Sequence, residues 1–503
     1  MNGNKLRGVI AAVAGVMMFN AMPVMADSTD DILNALIAKG VLTEEEGALL
    51  QKGRTGEKEA AAKKKESEIK ASFKDGIVFE SGDKQHKFSI NGRAQADYRS
   101  FSDEVTNNQT DTWDIRRAYL GAKGSFYDTY DFEVTVNNTS GTNGPDLLYA
   151  YTNIRWWDQA QFKIGQFKQP FSMEELGSSR FTNFTERSLL TQLVPAVDRG
   201  AQVHGTPFKG ATYALGYFNG VGINRGTNVN DNNFLADGKS VTGRVTVNIA
   251  EMLDNKEAVF HLGAAYSSTT DSDQVNAIDI RTEGRGTSTV KTEAFTGISA
   301  TNSGYDLKRA GLEGAVAYGP VKFQSEWIRA EFDPVNGKPL ITKPATTSPV
   351  AAAVPGTLGS KDITAWYAAV NWMITGENYA DVYKGGLFSG RMKPKNEFDP
   401  KNGKSGWGAW EIGARYSKLD ASDFQRGDLV SAYGATTGVA KSGTSSQNKF
   451  NEVDAWTIGL KWIPSPNVRF MANYVTTNMD CAANVVCTED KEKAVNLRTQ
   501  IDF

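Results

Sequence analysis

The sequence is poor in the residues that build metal centres, disulfide frameworks and most hydrolytic sites, with 2 Cys and 3 His among 503 residues. Two cysteines cannot form a disulfide framework or a cysteine-rich zinc site. His86, His204 and His261 lie in separate segments, and no G-x-S-x-G nucleophile elbow accompanies them. We therefore expect no metal, no cofactor and no catalytic residue, which argues against an enzyme such as a membrane-embedded hydrolase.

An excess of charge of one sign is also missing. Lys and Arg number 55 against 58 Asp and Glu, for a formal net charge of -3. Proteins that bind nucleic acid carry a basic excess to neutralise phosphates, so a nucleic-acid partner is not expected. The 49 Gly, 17 Tyr and 25 Phe instead favour a β-rich architecture.

Long apolar runs are absent after the first 26 residues, so the sequence offers no membrane-spanning helix. Lys5 and Arg7 precede an apolar stretch at 9–19, and Val24-Met25-Ala26 supplies cleavage positions. This pattern predicts a signal peptide at 1–26 that is removed on export. The remaining chain is then either a soluble exported protein or a membrane barrel.

Residues 27–70 read as a periplasmic helical or coiled segment. Gly40 ends a first short helix, and Thr43-x-x-Glu46 is a capping box that opens a second. The stretch from Glu57 to Lys70 is rich in Ala, Lys and Glu, which is typical of a solvated helix or linker. A structural role, in which this segment tethers the outer membrane, remains an alternative function.

From residue 71 to 503, apolar and polar residues alternate with a period of two. In the stretch at 87–99, Phe88, Ile90 and Tyr98 share one face, while Arg93 and Asp97 share the other. About sixteen such segments of roughly ten residues recur, with short turns alternating with long polar loops at 267–304, 332–360 and 419–452. The pattern predicts an all-β fold, a 16-stranded antiparallel transmembrane β-barrel preceded by a short N-terminal helical segment.

A soluble multi-domain β-sandwich would show the same alternation. Two features favour the barrel: the apolar faces carry small and aromatic residues with little Leu, and Phe503 ends an alternating strand. Backbone amides in hydrocarbon all need partners, which only a closed sheet supplies to every strand. Sixteen strands also enclose a lumen wide enough for water.

Six short motifs follow one another between residues 92 and 220. They are Gly92-Arg93-x-Gln95-x-Asp97-Tyr98, Asp114-x-Arg116-Arg117-Ala118-Tyr119-Leu120-Gly121-x-Lys123-Gly124, Gly165-Gln166-Phe167-Lys168-Gln169-Pro170-Phe171, Glu174-Glu175-Leu176, Glu186-Arg187-Ser188-Leu189 and Phe218-Asn219-Gly220. In this order they resemble the phosphate-selective porin O and P family, and the strand pattern carries the likeness to Phe503. The resemblance implies a homotrimeric porin in the bacterial outer membrane, surrounded by its lipid, with one loop folded into the channel.

Residues 168–200 are too long for a tight turn and stand in the right order to be that inward loop. Arginine suits a phosphate filter because its planar fork binds oxyanions with two hydrogen bonds and stays charged. The pore and anion-binding candidates are Arg93, Arg116, Arg117, Lys123, Lys168, Arg180, Arg187 and Arg199. The leading hypothesis is thus a passive, anion-preferring channel for inorganic anions such as phosphate or polyphosphate, and the alternative is a general diffusion pore without strong ion preference.

Two features of the sequence leave alternatives for the roles of these candidate residues. Strict alternation would send Arg116 to lipid and Arg117 to the lumen, unless a bulge turns both inward or Arg116 lies near an interface. Acidic residues in 168–200, such as Glu174 and Glu186, could pair with its arginines and make the segment a structural plug.

Cys481 and Cys487 fall in the last predicted external loop. In an oxidising compartment we expect them to form a loop disulfide.

Overall fold

The structure is a computed structural model that describes most of the chain. The described residues are 36–50, 52, 68–73, 76–102, 111–139, 145–220, 239–272, 279–286, 288–291, 305–334, 360–424, 450–481 and 490–503. The predicted signal peptide at 1–26, much of the segment 27–70, and Cys487 lie outside them. Among the described residues, none of the helices has the length and apolar character of a membrane span.

The chain divides into two compact units, 1–68 and 69–503. In the first unit, helical turns occupy 36–38 and 44–50, and Gly40 between them adopts a left-handed φ of 72°. The backbone N–H of Thr43 donates to the Glu46 carboxylate at 3.0 Å, and the N–H of Glu46 donates to Thr43 Oγ1 at 3.2 Å. These reciprocal bonds are the capping box that the sequence indicates.

Strands make up most of the second unit. They are β1 (Ile69–Phe73), β2 (Ile77–Ser81), β3 (Lys87–Ser102), β4 (Thr112–Phe126), β5 (Tyr130–Asn137), β6 (Asp146–Trp157), β7 (Ala160–Lys168), β8 (Val197–Gly205), β9 (Ala211–Phe218), β10 (Lys239–Asn248), β11 (Ala258–Ser272), β12 (Asp279–Arg281), β13 (Ser288–Lys291), β14 (Tyr305–Tyr318), β15 (Val321–Pro334), β16 (Lys361–Met373), β17 (Tyr383–Lys384), β18 (Leu387–Phe388), β19 (Phe398–Asp399), β20 (Lys404–Ser405), β21 (Ala409–Asp420), β22 (Phe450–Ser465), β23 (Val468–Cys481) and β24 (Asp490–Asp502). Among the described residues of this unit, the other elements are two short helices, α1 (Met173–Leu176) and α2 (Ile249–Met252), and three 3-10 turns at Leu189–Gln192, Tyr379–Val382 and Pro400–Asn402.

Sixteen of these strands form a closed antiparallel barrel, as predicted, which excludes the sandwich. From β3 to β11 each strand pairs with the next, and the ring continues through β14, β15, β16 and β21 to β24. The ring closes where β24 pairs with β3, from Lys493 opposite Ser102 to Asp502 opposite Arg93. The β1–β2 hairpin extends the wall beside the start of β3.

Burial is reversed relative to a soluble β protein. In β3, Asn91, Gln95 and Asp97 are buried while Phe88 and Ala94 are exposed. Many of the exposed large apolar side chains lie on the outer face of the barrel strands, among them Ile164, Leu215, Val245, Leu312 and Ile458. Hydrocarbon outside and water inside account for this inversion, because apolar surface is stable against lipid tails. The predicted outward apolar face is therefore confirmed.

Aromatic rings gather at the strand ends. The rings of Trp410 and Trp462 stack with centroids 5.6 Å apart, and Trp462 stacks on Phe470 at 5.4 Å. Near the opposite end, Tyr416 lies between Trp366 and Trp456. Such belts mark the two interfaces of a membrane, where amphipathic rings are most stable.

The two ends of the barrel differ. Short connections such as 127–129, 158–159 and 466–467 define a turn end, and the longer connections define a loop end. Among the described residues, three stretches contact the inside of the barrel: 169–196 and 279–286 from the loop end, and 374–408 from the turn end. We call the first the inward segment and residues 379–392 of the third the strap.

The wall is lower on one side of the barrel. Strands β5 and β9 contain 8 residues, β7 and β8 contain 9 and β6 between them contains 12, whereas β3 and β22 contain 16. We call the strands β5–β9 the low wall. An eight-residue strand tilted by about 40° rises only about 20 Å.

Candidate functional site

The inward segment is held to one side of the lumen by apolar packing. Phe171, Leu189 and Leu190 are 0–1% exposed and belong to one cluster with Ile328 of β15 and Tyr367 of β16. This packing draws the segment against β14–β22 and leaves the opposite wall uncovered.

A buried carboxylate of the wall fixes the start of α1. The N–H groups of Met173 and Glu174 donate to the Glu326 carboxylate at 3.0 and 2.7 Å, and the Tyr367 hydroxyl donates to it at 2.7 Å. Ser172 caps the same helix by accepting from Glu175 N–H at 3.2 Å, with a left-handed φ of 64°. The Glu326 carboxylate thus holds the helical turn through three neutral donors, and none of these donors is a Lys or Arg side chain of the lumen.

Glu186 is the charged centre of the inward segment. Arg116 donates to its two oxygens through Nε at 2.7 Å and Nη2 at 3.1 Å. Arg498 Nη2 donates to Glu186 at 3.2 Å, and Arg498 also donates two hydrogen bonds of 2.7 Å to the Asp97 carboxylate. Burial opposes ionisation of Glu186, but Arg116, followed by Arg498, outweighs it and holds the pKa of this carboxyl well below its usual value.

A bulge explains how Arg116 and Arg117 both face inward. Arg117 pairs opposite Gln95 and Ile115 pairs opposite Ala96, so Arg116 is an extra residue in β4. Arg116 therefore reaches Glu186, while Arg117 Nη1 donates to Gln95 Oε1 at 2.9 Å. Of the two possibilities that the sequence leaves open, the bulge is correct.

Arg187 binds other residues of the inward segment and so stabilises its folded conformation. Its guanidinium pairs with Glu175 at 3.1 Å and donates to the carbonyls of Glu174 at 3.0 Å and Gly177 at 2.8 Å. Lys168, the last residue of β7, pairs with the other oxygen of Glu175 at 3.2 Å. Both cations therefore bind the backbone and carboxylate of the inward segment itself, which is the role expected if the segment is a structural plug.

The strap crosses the lumen between two charged anchors. At one end Arg244 donates to the Gly386 carbonyl at 3.0 Å, and at the other Arg391 pairs with Asp502 of β24. Between them the N–H of Ser178, in the inward segment, donates to Ser389 Oγ at 3.0 Å. The strap and the inward segment therefore meet inside the barrel.

A cavity of about 700 Å³ remains between these two segments and the strands β3–β10. Its basic lining residues are Arg93, Lys123, Lys163, Lys168, Arg180, Arg244 and Arg391. Among the described lining residues Glu133 is the one carboxylate. The cavity lining is thus basic, although three of its cations pair with carboxylates outside the lining: Lys168 with Glu175, Arg244 with Glu313 and Arg391 with Asp502.

Two of these cations are held by rings and neutral groups. Arg93 stacks 4.3 Å from the ring centroid of Tyr119, and its Nη1 donates to Ser179 Oγ at 2.9 Å. Lys163 Nζ lies 4.8 Å from the ring centroid of Tyr151. Within the described part of the chain, neither residue forms an ion pair. A ring face stabilises a cation without cancelling its charge, so both remain able to attract an anion.

The structure separates the predicted site residues into groups. Arg93, Lys123, Lys168 and Arg180 line the cavity. The others do not; Arg116, Arg117 and Arg187 belong to the network that anchors the inward segment.

The prediction that Arg199 belongs to the inward segment is wrong. β8 begins at Val197, two residues earlier, and alternation places Arg199 on the face opposite Gln202 and His204, which line the cavity. Arg199 Nε donates to Gln166 Oε1 at 3.0 Å. The inward segment therefore ends at 196.

Lys163, Arg244 and Arg391 line the cavity but are missing from the predicted set. Alternation in the sequence marks Lys163 and Arg244 as inward-facing, but both lie outside the six family motifs and outside residues 168–200. The length of 374–408 could have revealed Arg391, because a connection at the turn end is otherwise short.

No metal or disulfide adds to the described site. In the described ranges, no cluster of three His, Cys, Asp or Glu side chains could hold a metal ion. Cys481 ends β23, but Cys487 lies outside these ranges, so the disulfide stays a prediction.

Comparison with known proteins identifies the family. The profile described as phosphate-selective porin O and P matches residues 88–503. Porin O of Pseudomonas aeruginosa is 24% identical over 438 residues, which cover 83% of this chain and 89% of the relative. OprB of Pseudomonas putida overlaps with a TM-score of 0.47 and 9% identity over 84% of this chain and 95% of its own.

OmpT of Vibrio cholerae overlaps with a TM-score of 0.45 and 12% identity, covering 83% of this chain and 98% of its own. Neither structural overlap is high enough to bear on function. The family match, by contrast, covers most of the chain and the closed barrel from the second residue of β3 onward. The protein therefore belongs to the phosphate-selective porin O and P family and is a porin of the bacterial outer membrane.

Proposed function

We propose that this porin is a passive channel that prefers anions and conducts inorganic phosphate or polyphosphate. The observation that carries the proposal is the basic cavity: seven Lys and Arg side chains and one carboxylate line its described part, and two of these cations, Arg93 and Lys163, form no ion pair with the described residues. An excess of fixed positive charge in a narrow aqueous passage concentrates anions and repels cations.

The arrangement of the cations supports fast passage. Arg93 and Arg180 lie at the level of the inward segment. Lys123 lies three residues before the turn-end terminus of β4, and Lys163 lies three residues after the turn-end terminus of β7. An anion would thus meet successive weak sites in series. Several weak sites allow entry and exit, whereas one deep site would retain the ion.

Electrical recording tests the proposal directly. Purified protein in a planar bilayer under a potassium chloride gradient should give a reversal potential of the sign for chloride permeation. Millimolar phosphate should then reduce the chloride current, because a doubly charged oxyanion binds the Arg93 fork more tightly than chloride does. A reversal potential of the cation-selective sign would refute the anion preference.

A general diffusion pore is the second candidate, because many lumen cations are already neutralised. Arg415 pairs with Glu174 at 3.1 Å and with Glu283 at 2.6 Å, and Lys461 pairs with Glu411 at 3.0 Å. If such ion pairs cancelled most of the fixed charge of the lumen, the channel would show little ion preference. The same reversal-potential measurement separates the two functions.

We further propose that the porin assembles as a homotrimer through its low wall. Strands of eight or nine residues fall short of the roughly 25 Å apolar band of an outer-membrane barrel. Their outer faces carry exposed apolar residues, including Val134, Ile164 and Leu215. Covering this wall with second copies of the chain removes the mismatch.

Mass measurement in mild detergent should therefore give three chains per particle. Ile164→Asn on the low wall should release monomers at lower detergent concentration than the wild type. Leu312→Asn, on a 14-residue strand with the same 59% exposure, is the matched control and should leave the trimer intact. Monomers in the wild type, or equal dissociation of both variants, would contradict the low-wall interface.

A further inference from the structure

We propose that the basic cavity selects organic phosphates that carry a ring, in preference to bare inorganic phosphate. The inference rests on the proposed anion preference and names a substrate class for the same cavity. It follows from the size of the cavity, from the apolar groups on its two sides and from one inward ring, that of Tyr149, which has no aromatic or cationic partner among the described residues.

The cavity is large for an inorganic anion. Its volume of about 700 Å³ lies in the range of pockets that enclose organic ligands, roughly 300–1,000 Å³. Inorganic phosphate held by Arg93 would fill only a small part of it and leave the rest to water. A phosphate ester can bind the same cation and place its organic group in the remaining volume.

Apolar groups line the two sides of this volume. On the barrel wall, Tyr149 and Tyr151 of β6 face inward, because they pair with the lumen-facing Thr135 and Glu133 of β5. Across the cavity, the inward segment contributes Leu176 and Phe181, and the strap contributes Leu387. These side chains are half-buried, so they still present apolar surface to the passage.

Tyr149 differs from Tyr119 and Tyr151, the other inward-facing tyrosines that line the cavity. The ring of Tyr119 is covered by Arg93, and the ring of Tyr151 is covered by Lys163 and packed on Phe167. Tyr149 makes no ring or cation contact within the described part of the chain. Tyr149 is half-buried, and the part of its ring that faces the cavity can stack on an aromatic group of a solute while a neighbouring cation binds the phosphate.

Block of the chloride current by three solutes tests the inference. Phenyl phosphate should reduce the current at roughly three- to tenfold lower concentration than inorganic phosphate, the gain expected from one stacked aromatic pair. Benzyl alcohol, which has the ring but no charge, should not block at the same concentrations. Equal block by benzyl alcohol would overturn the inference, since charge would then play no part.

Two variants at Tyr149 isolate the ring. Tyr149→Ser should bring the ratio between phenyl phosphate and inorganic phosphate below about twofold, whereas Tyr149→Phe, which keeps the ring, should retain it. An unchanged ratio in Tyr149→Ser would overturn the role of the ring. Equal block by both phosphates in the wild type overturns this inference alone, whereas a cation-selective pore overturns the proposed function as well.

Discussion

Replacing Lys163 by Glu is expected to lower the ratio of chloride to potassium permeability by about three- to tenfold. The change converts a cation held by the Tyr151 ring into an anion and shifts the charge of the cavity by two units. At effective dielectric constants near 20 and distances of several ångströms, such a shift changes the free-energy difference between a permeating anion and a permeating cation by about 1 kcal/mol after screening. Reversal potentials under a salt gradient measure the ratio.

Charge elsewhere on the protein should matter far less. Lys401→Glu makes the same change on an exposed turn at the turn end, outside the cavity lining. Beyond a Debye length of about 8 Å, salt screens that charge from the permeating ion. We expect the neutral variant Lys163→Gln to lie between the wild type and Lys163→Glu. Equal shifts in Lys163→Glu and Lys401→Glu would show that the cavity does not control selectivity.

Replacing Glu186 by Gln is expected to release the inward segment from the wall. The change removes the shared partner of Arg116 and Arg498 and leaves both guanidinium groups without that charge. Breaking one side of a buried pair costs about 3–5 kcal/mol, which raises the population of the displaced segment by more than about a hundredfold. Single channels should then show larger and fluctuating conductance levels.

The pH dependence of this effect has a definite sign. Because the pKa of Glu186 is lowered in the folded protein, its contribution is complete above the unfolded value of about 4.3 and is lost as the pH falls through the lowered value. The difference from the wild type should therefore stay constant between pH 5 and 8. Glu452→Gln is the control, since its 3.1 Å pair with Lys418 is more than one-third exposed and contributes little.

The barrel itself follows closely from the sequence. Period-two alternation in β3 or β22 specifies which face meets lipid, and the number of alternating segments specifies a lumen large enough for water. These predictions succeed because strand patterning is local and the membrane enforces it on every strand.

The partners of individual charges do not follow from the sequence. Arg180 and Arg187 stand seven residues apart in one segment, yet Arg180 lines the cavity and Arg187 binds backbone carbonyls. Their roles depend on which wall the segment packs against, and apolar contacts with Ile328 and Tyr367 far along the chain decide that. Arg116 likewise needs a bulge that alternation alone does not locate.

The seam between β3 and β24 has a consequence for biogenesis. It joins residues about 400 positions apart, as in the bond from Arg498 to Asp97. Until β24 arrives, the growing sheet has two unpaired edges, and such edges readily join those of neighbouring chains. Insertion must therefore follow synthesis of nearly the whole polypeptide, and we expect that escort proteins shield the open edges in the periplasm until the final strand docks.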